Sequence, residues 1–169
     1  MSIRKRVVSY AAMVALGGAM AHAQEMPRAT AELQNLQGQP VGQVELQETP
    51  HGLIVTAEFT GLPEGSHGFH IHAVGKCEPP FESAGGHFNP DDHQHGMKNP
   101  QGKHSGDLPN IHIPASGEAT VEHFAVGLTL ENLSGEAGTS LVVHANADDY
   151  STDPAGNAGD RIACGVISK

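Results

Sequence analysis

Basic residues are scarce in this sequence, and those present are scattered. Lys and Arg number 9 against 19 Asp and Glu, which gives a formal net charge of −10 at pH 7. Beyond position 6 the basic residues stand well apart: Arg28, Lys76, Lys98, Lys103, Arg161 and Lys169. Since binding to a phosphate backbone requires clustered Lys and Arg, nucleic acid is not expected as a partner. A small anion that binds here needs a local positive site within an overall negative field.

Long apolar runs are also missing, except near the start of the chain. A basic segment at 4–6 precedes a mostly apolar segment at 7–20, and an Ala-His-Ala sequence follows at 21–23. This arrangement predicts a secretory signal peptide over residues 1–23, removed in the mature protein. A short membrane anchor is the alternative, but the apolar run is shorter than the roughly 20 residues that span a bilayer. Cleavage leaves 169 − 23 = 146 residues, a single domain over 24–169 with a formal net charge of −10 − 3 = −13.

Cysteine occurs only twice, and the sequence contains no CxxC motif. An even number of cysteines in an exported chain favours a disulfide. Cys77 and Cys164 are 164 − 77 = 87 positions apart. Closing a loop of that length contributes roughly 4–5 kcal/mol in the chain-entropy model. Two thiolate metal ligands are the alternative, and the wide spacing disfavours them.

Segments with helical periodicity are lacking as well, and short strand-like segments separated by Gly and Pro turns take their place. Partial alternation of apolar and polar residues, or a short apolar run, predicts strands at 29–36, 41–48, 53–59, 117–124, 139–144 and 161–167. Another short strand is expected around His70. These features predict an all-β domain, either a sandwich or a barrel.

Residues 78–113 differ in character, because they are rich in His, Gly, Pro, Asn and Asp and show little periodicity. An irregular segment of this length in a compact domain is usually either functional or disordered. Its histidines are His87, His93, His95, His104 and His112. Bound metal can order such a loop where a hydrophobic core cannot. Residues 148–160 form a second polar loop.

The sequence His70-Ile71-His72 is the clearest indication of a metal site. Positions i and i+2 of a strand face the same side, roughly 7 Å apart, so the two imidazoles can hold one ion. His87 follows two glycines that permit a close approach of the backbone, and His144 ends a buried strand.

The loop adds His95 and the His-x-x-Asp pair of His104 and Asp107. Imidazole suits copper and zinc, and zinc also accepts a carboxylate ligand. The remaining histidines are expected to be exposed or hydrogen-bonded rather than ligands: His51, His67, His112, His123 and one of His93 and His95.

Taken together, these motifs resemble the copper–zinc superoxide dismutase family over nearly all of residues 24–169. The most specific matches are Gly68-Phe69-His70-Ile71-His72, Gly86-His87-Phe88-Asn89-Pro90, His104-Ser105-Gly106-Asp107-Leu108, Val142-Val143-His144-Ala145 and the closing run 159–167. The resemblance implies a Greek-key sandwich or flattened barrel of about eight antiparallel strands with two long functional loops. With the signal peptide, it implies an antioxidant enzyme in the periplasm of a Gram-negative bacterium.

The resemblance also implies one copper and one zinc per subunit. The implied copper ligands are His70, His72, His87 and His144. The implied zinc ligands are His87, His95, His104 and Asp107, with His87 as an imidazolate that bridges the two metals. It selects His95 rather than His93, because His95-Gly96 matches the family pattern, and it pairs Cys77 with Cys164 in a disulfide.

Two further residues have roles that the resemblance implies. Asp148 matches an outer carboxylate that links a copper histidine to a zinc histidine and fixes their orientation. Arg161 matches the arginine that draws superoxide to copper, and its guanidinium stays charged at any ordinary pH. The implied reaction converts superoxide to dioxygen and hydrogen peroxide by alternate reduction and reoxidation of copper. His87 would carry a proton, and zinc would be structural.

Two other functions compete with this interpretation. A metal-buffering protein on the same fold would bind both metals without turnover, but all four copper histidines and Arg161 are present. An exported β-sandwich interaction module would carry its histidines on the surface without a metal-binding role, and its stability would not depend on metal.

The family's Glu-Glu-x-x-Lys cluster, which steers superoxide electrostatically, is not found in the last loop. Steering therefore falls to Lys76, Lys98 or Lys103, for each of which a solvated surface role is the alternative. Bacterial family members include monomers and dimers, and a homodimer is the proposed assembly.

Overall fold

The computed structural model describes residues 26–169, so the predicted signal peptide at 1–23 lies outside the described residues. Within 26–169, none of the helical segments has the length and apolar character needed to cross a membrane. Helical structure in this part of the chain is limited to two short 3₁₀ turns, Glu82–Ala84 and Asn132–Ser134.

The described residues form nine β-strands. In chain order these are β1 Arg28–Asn35, β2 Pro40–Thr49, β3 Gly52–Thr60, β4 Gly65–His67, β5 Phe69–His72, β6 Ile111–Ile113, β7 Glu118–Val126, β8 Ser140–His144 and β9 Arg161–Val166. The predicted all-β class is confirmed, with nine strands rather than about eight. The difference arises at Gly68, which separates β4 from β5. These two segments do not form one continuous strand, because β4 pairs with β6 whereas β5 pairs with β8.

Seven strands make one curled antiparallel sheet in the order β5-β8-β9-β1-β2-β3-β7, and β4 and β6 form a separate pair. The chain leaves β3 at one side of this sheet, crosses to β5 at the opposite edge, and returns to β7 beside β3. This path is a Greek-key connection. It places β5 and β8, which carry three of the predicted ligands, next to each other.

Buried and more exposed residues alternate along β1, β2 and β3, so that one face of each strand packs into the hydrophobic core. In β1, for example, Ala29, Ala31 and Leu33 are buried while their neighbours in sequence are exposed. Every residue of β5 and β8 is buried, which fits strands covered on both faces. Phe59 of β3 and Phe69 of β5 meet edge to face at 5.7 Å between ring centroids. Strands from the two ends of the sheet therefore pack in one core.

A disulfide joins the long loop after β5 to the last strand. Cys77 lies in the loop and Cys164 in β9, with their Cα atoms 5.6 Å apart, which confirms the pairing implied by the resemblance. Cys164 packs with Phe81, Ala84 and Val142 in a small buried cluster. The bridge thus fixes the loop against the strand that begins at Arg161.

Candidate metal centre

Three histidines come from two adjacent strands. His70 and His72 lie on β5, both fully buried, and His144 ends β8, the partner of β5. The Nε2 atoms of His72 and His144 are 3.4 Å apart. The ring centroids of His70 and His144 are separated by 5.0 Å. Strand register alone is enough to bring these three imidazoles together.

His87 joins this group from the loop. The loop is attached to β5 by backbone hydrogen bonds, in which the Ala73 N–H donates to the Gly86 carbonyl at 2.9 Å and the Phe88 N–H donates to the Ile71 carbonyl at 2.8 Å. The ring of His87 lies 4.1 Å from that of His70, centroid to centroid. One nitrogen from each of His70, His72, His87 and His144 can be chosen so that all four atoms lie within 4.8 Å of one another.

The turn that carries His104 and Asp107 is held against the same strand. The Ile71 N–H donates to the Gly106 carbonyl at 2.9 Å, and the Gly106 N–H donates to the Phe88 carbonyl at 2.8 Å. A Cβ atom on Gly106 would overlap the Ile71 carbonyl oxygen, so only glycine allows this close approach. The close approach positions the side chain of Asp107 beside β5.

Asp107 lies at the centre of a second group of buried side chains. Its Oδ1 atom is 2.8 Å from His87 Nδ1, 3.1 Å from His95 Nδ1 and 3.3 Å from His104 Nδ1. Its Oδ2 accepts backbone hydrogen bonds from Gly96 and His104, both at 3.0 Å. His87, His95, His104 and Asp107 each offer a ligand atom within 4.8 Å of the others. We call this set the Asp107 cluster and the first set the His144 cluster.

Both clusters fit metal ions by the chemistry of their donors. Within the described residues, the buried atoms His70 Nδ1 and His87 Nε2 have no hydrogen-bond partner. A buried polar atom without a partner is costly, whereas a free imidazole nitrogen is a good metal ligand. Four imidazoles suit copper, and three imidazoles with one carboxylate suit tetrahedral zinc. His87 is common to both clusters.

The histidines of these clusters differ in how strongly they hold protons. Burial, reinforced by neighbouring imidazoles, lowers the pKa of His70 to about 4 and that of His144 to about 3. Burial also acts to lower the pKa of His95, but hydrogen bonds to Asp107 and Asp148 outweigh it and raise this pKa to about 9. At neutral pH and without metal, His70 and His144 are neutral and His95 is protonated.

Asp148 connects the two clusters from outside. Its Oδ2 is 2.8 Å from His70 Nε2, and its Oδ1 is 3.0 Å from His95 Nε2. Burial opposes ionisation of this carboxyl, but its hydrogen bonds to His70 and His95 hold its pKa below the usual range. The ionised carboxylate accepts an N–H from each ring, which leaves the Nδ1 atom of both rings for the clusters.

Arg161, the first residue of β9, is anchored next to the His144 cluster. Its Nη1 donates to the Phe81 carbonyl at 2.6 Å, and its Nη2 donates to the Gly85 carbonyl at 2.7 Å. The Gly85 carbonyl is also 2.9 Å from Nδ1 of His72. Arg161 and His72 therefore share one acceptor, so the cationic group is fixed close to a cluster ligand.

The other histidines of residues 26–169, and Lys76, Lys98 and Lys103, are not among the members of either cluster. His93 is exposed, with its Nδ1 atom 3.2 Å from the Lys103 carbonyl. His67 is buried, and its two ring nitrogens face the carbonyls of His144 and Pro63. No motif in the sequence indicated that His67 contacts these two carbonyls. The three lysines considered for steering have nearby partners: Lys76 pairs with Glu78, Lys98 lies over the Tyr150 ring, and Lys103 contacts the carbonyls of His104 and Asp107.

We expect the free energy of unfolding of the metal-free protein to be greatest near pH 6.5. Below this pH the unfolded chain binds protons that folded His70 and His144 do not, so stability falls as the pH drops towards 4. Above it, folded His95 keeps a proton that the unfolded chain releases, so stability falls as the pH rises towards 9. Urea unfolding across this range measures both arms.

Two variants identify the source of the alkaline arm. His95→Gln removes the group with the raised pKa and should flatten stability between pH 6.5 and 9, whereas exposed His93→Gln should leave the slope unchanged. A parent protein with flat stability over this range, or equal flattening by the two variants, would contradict the assignment.

Comparison with known proteins agrees with this geometry. Residues 41–167 match the family described as copper/zinc superoxide dismutase (SODC). A curated relative, superoxide dismutase (Cu-Zn) 1 of Aquifex aeolicus, is 46% identical over 152 residues, which cover 86% of this chain and 89% of the relative.

Two solved structures agree as well. A variant of a superoxide-dismutase-like protein from Bacillus subtilis aligns with a TM-score of 0.79 and 41% identity, covering 83% of this chain and 97% of that one. The Cu/Zn superoxide dismutase from Brucella abortus aligns with a TM-score of 0.70 and 32% identity, covering 84% and 100%. The chain therefore belongs to the copper/zinc superoxide dismutase family, and its activity is the dismutation of superoxide with copper and zinc as cofactors.

Proposed function

We propose that the two clusters carry out this reaction with a fixed division of labour. The proposed copper ligands are those of the His144 cluster: His70, His72, His87 and His144. The proposed zinc ligands are those of the Asp107 cluster: His87, His95, His104 and Asp107. The observation that carries the proposal is His87, which faces Asp107 with Nδ1 and whose buried Nε2 has no hydrogen-bond partner within residues 26–169.

When bound, copper supplies one-electron chemistry towards superoxide, while zinc is redox-silent. The protein contributes a place for one of the two protons that the reaction consumes. His87 Nε2 is the atom that can take up this proton and return it to the peroxide product. Its Nδ1 stays on the side of Asp107 throughout, so the ring keeps its orientation.

Arg161 is proposed to attract and orient the superoxide anion. Both ends of its guanidinium are tied to backbone carbonyls, so the positive charge is held at one place instead of moving in solvent. In a protein with a formal net charge of −10, such a fixed cation provides the local positive site that an anion needs. Asp148 is proposed to orient His70 and His95 by accepting their ring N–H groups.

The proposed setting is outside the cytoplasm. The relatives include bacterial copper–zinc superoxide dismutases, and a signal peptide at 1–23 with a mature chain at 24–169 is our proposal. A disulfide between Cys77 and Cys164 supports an oxidising compartment, for which we propose the periplasm of a Gram-negative bacterium. The proposed homodimer is tested by sedimentation of the purified protein.

Dismutation by the purified protein, loaded with copper and zinc, tests the assignment of the His144 cluster. His144→Ala removes one imidazole of four, so we expect it to bind zinc normally and to lose nearly all activity. Stopped-flow decay of superoxide measures the rate, and metal analysis measures occupancy. Tight binding of both metals by the parent protein without turnover would favour a metal-buffering function instead.

Arg161 variants test the proposed attraction of the anion. At low ionic strength, Arg161→Met should slow dismutation by roughly 10-fold, because the fixed charge near the site is lost. Arg161→Lys should retain part of the rate, and Arg28→Met, which removes an exposed charge paired with Glu45 of β2, serves as the matched control. An Arg161→Met protein that is as fast as the parent at low salt would contradict this role.

A further inference from the structure

Tyr150 connects three segments that build the two clusters. Its hydroxyl accepts a hydrogen bond from the backbone N–H of Asn110 at 2.7 Å. Its own N–H donates to Oδ1 of Asp148 at 2.6 Å. Its carbonyl accepts from the N–H of Lys98 at 2.9 Å. One residue therefore contacts the loop that follows His95, the segment before β6 and the carboxylate that links the clusters.

Asn110 extends this connection to the backbone of Asp148. The side-chain amide of Asn110 donates to the Asp148 carbonyl at 2.8 Å, and its Oδ1 accepts from the Asp148 N–H at 2.8 Å. This two-point contact satisfies both the N–H and the carbonyl of the Asp148 backbone, as pairing with a neighbouring β-strand would. The Tyr150 hydroxyl therefore supports the backbone of Asp148 through Asn110, while the Tyr150 N–H contacts the Asp148 carboxylate directly.

The backbone of Tyr150 is held in an unusual conformation by these contacts. Its φ of 65° lies in the left-handed region, which is strained for a residue with a bulky side chain. A Cβ atom on Gly96 would overlap the Tyr150 carbonyl oxygen, so the loop of His95 packs directly on this backbone. The Lys98 ammonium lies 5.2 Å from the centre of the ring. Such strain persists only where the surroundings enforce it.

We propose that Tyr150 is a positioning residue for Asp148. Through its hydroxyl and its backbone N–H, it keeps one oxygen of Asp148 on His70 and the other on His95, and so sets how firmly both clusters hold metal. The proposal rests on the orienting role proposed above for Asp148. Loss of a hydrogen-bond partner outside the ligands costs about 10- to 100-fold in metal affinity. For the Tyr150 hydroxyl, which supports Asp148 through Asn110, we expect a loss at the lower end of this range, about 10-fold.

Tyr150→Phe tests the proposal, because it removes the hydroxyl and nothing else. We expect zinc affinity, measured by competition with a chelator, to fall about 10-fold. In the metal-free protein, the ring N–H protons of His70 and His95 should exchange with solvent faster, as measured by NMR. Thr152→Val is the matched control, because the Thr152 hydroxyl lies in the same loop but donates to Asp149 instead of Asp148. Zinc affinity and ring-proton exchange should both stay unchanged in this variant.

Asp148→Asn distinguishes this proposal from the one on which it rests. If Tyr150 acts through the carboxylate, Tyr150→Phe should have no further effect on zinc affinity in the Asp148→Asn background. Normal zinc affinity and ring-proton exchange in Tyr150→Phe, beside a clear loss in Asp148→Asn, would overturn the role of Tyr150 alone. An Asp148→Asn protein that behaves as the parent would overturn both roles.

Asn110→Ala provides a second route to the same test if Tyr150→Phe does not fold. This variant removes the two-point contact with the Asp148 backbone and should reproduce both the weaker zinc binding and the faster ring-proton exchange. A lower free energy of unfolding with unchanged zinc affinity and exchange, in either variant, would show a merely structural role and overturn the proposal.

Discussion

The packing of one imidazole, His87, between two buried clusters is the constraint on which the rest of the structure depends. Its Nδ1 meets Asp107, while its Nε2 is buried without a hydrogen-bond partner among the described residues. An irregular loop has to hold this ring against β5, and the loop does so through backbone hydrogen bonds and the disulfide. Burial lowers the pKa of His70 and His144, whereas hydrogen bonds to Asp107 and Asp148 outweigh burial at His95 and raise its pKa.

Backbone strain lies beside the groups that position the site. Phe81 and Tyr150 both have positive φ values, 74° and 65°, although neither is a residue that favours them. The Phe81 carbonyl accepts from Arg161, and the Tyr150 N–H donates to Asp148. Local strain of this kind is tolerated where the surrounding contacts over-determine the conformation. Here the loops of Phe81 and Tyr150 are held by such contacts, and the positions of the Arg161 guanidinium and the Asp148 carboxylate depend on these loops.

The sequence predicted the strands and the paired histidines well, because both follow from a period of two. His70 and His72 share a strand, and His144 ends its neighbour, so alternation and strand pairing bring them together. The loop residues are different. Choosing His95 over His93, or linking Asp148 to His70, required resemblance to a family, since loop conformation follows no period. Asn110 and Tyr150 were missed because a backbone N–H or an amide contact leaves no pattern in the sequence.

The most direct test of the account is whether His87 joins both metals. Electron paramagnetic resonance of the protein with Cu(II) and Zn(II) gives the reference signal of an isolated copper ion. When Co(II) replaces zinc, a shared imidazolate should couple the two paramagnetic ions, and we predict that the Cu(II) signal is lost. A Cu(II) signal of unchanged shape and intensity beside Co(II) would show that the ions are not bridged, and would contradict the central role of His87.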